Sequence, residues 1–63
     1  MSLKKILDKH KISAKQLSEK SNVPKPDIIY ILYGKNPQLK IANTLLNTIN
    51  NITNEKYALE DLL

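Results

Sequence analysis

Residues 13–34, SAKQLSEKSNVPKPDIIYILYG, hold two helix-length stretches separated by a short break, and the fold follows from how that break is read. Ser13-Ala14-Lys15-Gln16 is a capping box: the serine hydroxyl accepts from the backbone N–H of Gln16, and the glutamine side chain reaches back to the serine N–H. Ile12 before the cap and Leu17 four residues after it form a hydrophobic staple. Together they predict a helix over 14–20. Ser21-Asn22 ends it, because Asn tolerates the left-handed backbone that turns a chain sharply. Val23 follows as a buried plug. Pro24-Lys25-Pro26-Asp27 then starts a second helix, since proline fits a first turn whose N–H groups lack intrahelical partners and an acid there meets the positive end of the dipole. This helix is expected from Lys25 to Tyr33, stopping at Gly34 in a left-handed C-cap. Ile28 and Ile31 point inward, which leaves Ile29 off the core stripe.

Two short helices joined this way cross steeply, and the second projects its outer face from the domain. Such a helix fits the major groove of B-DNA, about 12 Å wide. Outward from this unit, Ser2 caps a first helix carrying Leu3, Ile6 and Leu7 and ending near His10-Lys11, with His10 read as a surface residue at the helix end. On the other side, Asn36-Pro37 supplies a cap and a first helical proline. The helix they predict, 37–50, places Leu39, Ala42, Leu45, Leu46 and Ile49 on one stripe and stops at Asn50-Asn51. Thr53-Asn54 is expected to start a last short helix carrying Tyr57, Ala58, Leu59, Leu62 and Leu63. The fold expected is all-α, one compact bundle of about five short helices spanning residues 1–63.

From Ser13 to Gly34, and on through GKNPQLKIANTLLNTI, the sequence resembles the phage-repressor helix-turn-helix family, the Cro and lambda-repressor-like domains. The family's buried aliphatic is matched by Leu17, its small contact residue by Ser18, its turn glycine by Asn22, its next aliphatic by Val23, and its recognition-helix core by Ile28 and Ile31. The prolines flanking Lys25 depart from the usual Gln, Ser or Thr. The resemblance implies sequence-specific binding of double-stranded DNA by a transcriptional regulator, a repressor or autorepressor, with the helix at 25–33 in the major groove. It implies that Lys25, Pro26, Asp27, Ile29 and Tyr30 face the bases. Ser13, Ala14 and Lys15 at a helix N-terminus, with Tyr33, Lys35, Asn36, Gln38 and Lys40 after the recognition helix, would then hold phosphates. Tyr57, Leu59, Leu62 and Leu63 either close the core of the single chain or bury against a second copy, and the resemblance implies the second, a homodimer paired through these residues. Domains of this kind also occur as autoregulatory N-terminal parts of longer phage or mobile-element proteins, anti-CRISPR proteins among them.

Composition agrees with this class and excludes others. Sixty-three residues with no cysteine, one histidine and one glycine provide no disulfide, zinc cluster, nucleophile–base pair or phosphate loop, so neither enzyme nor cofactor is expected. Stability must come from ten Leu and eight Ile. No apolar run approaches the roughly 20 residues of a membrane span, and Met1-Ser2-Leu3-Lys4-Lys5 passes straight into a helical pattern, so a cytoplasmic protein is expected. The net charge of +4 is uneven: residues 1–40 carry +6 and residues 41–63 carry −2. One basic face suited to a polyanion follows. The rival reading keeps the fold but uses Ile29, Leu32 and Tyr33 as an apolar patch for a protein partner.

Overall fold

The first three helices of the computed structural model, which describes residues 2–62, start and stop for local reasons. In α1, Leu3–His10, the Ser2 hydroxyl accepts from the Lys5 N–H at 3.4 Å, and Leu3, Ile6 and Leu7 form the buried stripe. It ends in a Schellman turn: Ile12 N–H donates to the Leu7 carbonyl at 2.9 Å and Lys11 N–H to that of Asp8 at 3.3 Å, with Lys11 left-handed at φ 56°. α2 is Ala14–Ser21, with both arms of the expected capping box present: Gln16 N–H to Ser13 Oγ at 3.0 Å, and Ser13 N–H to Gln16 Oε1 at 2.9 Å. Asn22 closes it at φ 61°, its N–H on the Ser18 carbonyl at 2.9 Å. α3 is Lys25–Leu32, one residue shorter than expected, because Tyr33 is its cap. A second Schellman turn follows, with Gly34 N–H donating to the Ile31 carbonyl at 2.9 Å and Lys35 N–H to that of Tyr30 at 3.3 Å. Gly34 sits at φ 90°, a region side chains rarely adopt.

The last two helices depart from the sequence reading. α4 is Leu39–Thr53, not 37–50. Its cap is Gln38, extended at ψ 147°, and Asn36-Pro37 stays in the connection. Gln38 is exposed and Leu39 is 63% exposed, so burial does not favour the extra half turn, and Leu39 leaves the core stripe. At the other end Asn50 does not break the helix, because its amide is engaged elsewhere: Nδ2 donates to the Tyr57 carbonyl at 3.1 Å and Oδ1 accepts the Tyr57 N–H at 2.8 Å. Thr44, Thr48 and Thr53 return their hydroxyls to the carbonyl four residues back, which satisfies them within the helix at a small cost in helix stability. The stop falls at Asn54, left-handed at φ 59°. Thr53 therefore ends α4 rather than opening the next helix. α5 is only Leu59–Leu62, and Tyr57 and Ala58 precede it.

These five helices, with no strand among the described residues, enclose one core of Leu3, Ile6, Leu7, Leu17, Val23, Ile28, Ile31, Ala42, Leu45, Ile49 and Leu62. α2 packs on α3 and α4, α1 on α3 and α5, and α4 on α5. His10 is not the free surface residue expected. It is half-buried, its Nε2 lies 2.8 Å from Tyr57 Oη, and the two rings meet edge to face at 6.0 Å. Tyr57 thus ties the end of α1 to Asn50 of α4. No helix among the described residues is long and apolar enough to cross a membrane.

Candidate nucleic-acid interface

The site is built on the three residues between α2 and α3. Val23 is buried there, and two serine hydroxyls hold its backbone from either side. Ser18 Oγ donates to the Val23 carbonyl at 2.7 Å. Ser21 Oγ donates to the Leu17 carbonyl at 2.6 Å and accepts the Val23 N–H at 3.2 Å. Ser21 is buried, and its role was not visible in the sequence, where it read only as a helix end. Two hydroxyls three residues apart ahead of a turn were the available signal, since serine bonds nearby backbone readily. With Val23 fixed, Pro24 caps α3 through its carbonyl, which accepts from Asp27 N–H at 3.0 Å and Ile28 N–H at 3.4 Å.

α3 turns Ile28 and Ile31 into the core. Its opposite side carries Pro26, Ile29, Tyr30 and Tyr33, spaced i, i+3, i+4 and i+7, which is one helical face. Lys25 and Pro26 are exposed, Tyr30 is 56% exposed and Tyr33 82%. The rest of the fold leaves this face open. Two of the base-facing candidates are less free: Asp27 is half-buried on the flank, and Ile29 is half-buried in an open groove of about 560 Å³. That groove is shared with Leu7, Ile12, Ser13, Ala14 and Tyr33, so Ile29 lies between α3's outer face and the start of α2. Leu32 is half-buried against the core and also lines this groove, so Ile29, Leu32 and Tyr33, the apolar patch drawn from the sequence, border one groove.

The anchoring candidates come before and after α3 in the chain. At the start of α2, the Ser13 and Gln16 N–H groups are taken by the capping box, which withdraws the Ser13 amide from phosphate contact. Among the first N–H groups of a helix, those of Ala14 and Lys15 have no intrahelical acceptor and remain for an anion. Lys15 is exposed and Ala14 half-buried. After α3, Tyr33, Lys35, Asn36, Gln38 and Lys40 are all exposed along the connection and the first turn of α4.

The pairing residues fare differently. Leu62 is 3% exposed within the single chain, so it closes this core and has no surface for a second copy. The reason is its position on α5, which packs on both α1 and α4. Leu59 and Tyr57 are half-buried against the same core, and Leu63 lies outside the described residues. Comparison with protein-family models, curated proteins and solved structures finds no match to this chain.

Proposed function

We propose that this chain is a helix-turn-helix domain that binds double-stranded DNA sequence-specifically, as a transcriptional repressor or autorepressor, with α3 in the major groove. One observation carries the reading: α3 is held rigidly from its inner side and both ends, while its outer face stands free between the α2 N-terminus and the lysines after α3. The basic balance of residues 1–40 supports it. The Cα extents are 24 × 23 × 20 Å. At about 3.4 Å per base pair, 24 Å of duplex is about seven base pairs, the length of one half-site of an operator bound by two copies.

Selection of duplexes from a random pool, followed by titration at several salt concentrations, tests the proposal. With Lys15, Lys35 and Lys40 each neutralising one phosphate, one copy gives a slope of log K against log salt of about −2.7, which is about a fortyfold loss between about 50 and 200 mM. Two copies double the slope. A protein that retains no duplex at low ionic strength refutes the reading. A second reading, a docking site for a protein, draws on the apolar character of Pro26, Ile29, Tyr30 and Tyr33; it requires a partner bound with little salt response.

A further inference from the structure

The outer face of α3 lacks the side chains that read bases by forked hydrogen bonds. The chain has no arginine, and α3 carries neither Asn nor Gln. The planar arginine fork on guanine and the amide pairing with adenine are therefore closed to this helix, which leaves the Lys25 ammonium as its one cationic donor for guanine O6 and N7. Its polar groups are the Lys25 ammonium, the Tyr30 and Tyr33 hydroxyls and a half-buried Asp27 carboxylate. What the face offers instead is apolar surface: the Pro26 ring and the Ile29 side chain, three residues apart, with the Tyr30 ring beside them.

Only one natural base presents an apolar group in the major groove, and that is thymine, through its C5 methyl. We infer that α3 selects thymine-bearing half-sites by packing Ile29 and Pro26 on thymine methyl groups, a reading that rests on the DNA-binding proposal above. The preference works in both directions. Burying a methyl against Ile29 removes apolar surface from water. Placing a cytosine amino group or guanine carbonyl against the same side chain strips a polar group of water with no partner to replace it. Ile29 suits this task because the groove wall half-covers it, which limits its rotamers while the remainder of the side chain stays open.

Deoxyuridine substitution gives the test, because it deletes the methyl and nothing else. Duplexes are selected from a random pool with the full chain, and each thymine of the bound sites is replaced in turn. The expected result is about a fourfold loss at one or two thymines per half-site, the value of one buried methyl. Ile29→Ala should abolish the loss at one of those thymines while leaving the salt slope unchanged. The deoxyuridine arm on the unaltered protein needs no variant, so it holds even if Ile29→Ala folds poorly. Bound sites without thymine, or equal affinity for thymine and deoxyuridine duplexes, overturn this inference alone. Retention of no duplex at all overturns the DNA proposal and this inference with it.

Discussion

Replacing Lys35 with alanine separates charge from base reading on the proposed surface. The side chain is exposed, and the bond that orders this corner belongs to its backbone: Lys35 N–H donates to the Tyr30 carbonyl at 3.3 Å. Truncation therefore leaves the Schellman turn and α3 in place and removes one positive charge from the rim of the face. Each phosphate neutralised contributes about 0.9 to the salt slope. Lys35→Ala should thus lower the slope by about 0.9 per bound copy and weaken binding about eightfold at about 0.1 M salt, with the deficit vanishing toward about 1 M. The loss should be equal on a selected duplex and its scrambled version, since a phosphate contact carries no sequence information. Lys56→Ala, which removes the same charge from the acidic final third, is the control and should leave the slope unchanged. Fluorescence anisotropy with both duplexes over a salt series measures all of this. An unaltered slope for Lys35→Ala, or a loss confined to the selected duplex, would refute the placement of Lys35 on the backbone.

Other substitutions probe the scaffold and the bases. Tyr30→Ala and Lys25→Ala should narrow the gap between selected and scrambled duplexes by about 1–3 kcal/mol each, read by the same titrations; equal losses on both duplexes contradict the assignment. Ser21→Ala leaves the buried Val23 N–H without its acceptor and should cost about 1–3 kcal/mol in urea unfolding. An effect below about 0.3 kcal/mol would mean the turn holds without the hydroxyl. Tyr57→Phe removes only the 2.8 Å bond to His10 and should cost about 1 kcal/mol with no change in salt slope. Lys11→Gly relieves a side chain held at φ 56° and should stabilise by about 0.5–1 kcal/mol, a rise of roughly 2–8 °C in Tm for so small a domain.

The parts legible in the sequence are those determined by neighbours in the chain. The capping box at Ser13 and Gln16, the left-handed Asn22 and the Gly34 stop each depend on a few consecutive residues, and α2 and α3 came out within one residue of expectation. Tertiary bonds defeated the reading further on. Asn50-Asn51 has the composition of a helix end, yet Asn50 clasps Tyr57 seven residues later, a contact no local pattern announces. His10 likewise has no partner until the chain returns at Tyr57. Ser18 read only as a small residue at a helix contact, and its bond to Val23 came with the turn. For the candidate site, the outer face of α3 was legible from helical periodicity. The half-covering of Ile29 was not, because it depends on how α1 and the start of α2 pack beside it, and the choice between core and partner for Leu62 waited on the packing of α5.

The exposed stripe on α3 is better explained by contact than by folding. Ile28 and Ile31 anchor the helix from within, the serine-held Val23 fixes its start, and the Gly34 turn fixes its end. Pro26 serves the helix start, but none of these needs Ile29, Tyr30 or Tyr33 to be apolar. Polar side chains at those three positions would leave the same core buried and would remove apolar surface from water contact. Single exposed apolar residues are ordinary, but the exposed Tyr30 and Tyr33 rings stand in register with the half-buried Ile29 and the Pro26 ring on one helix face, and such patches mark surfaces that are covered in use. Lys4, Asp8, Ser13 and Ala14 line the groove beside that patch, Lys15 follows in α2, and Lys35 and Lys40 follow α3 in the chain. A protein partner accounts for the apolar centre and leaves the cationic border to chance. A duplex accounts for both, with base edges against the centre and phosphates along the rim.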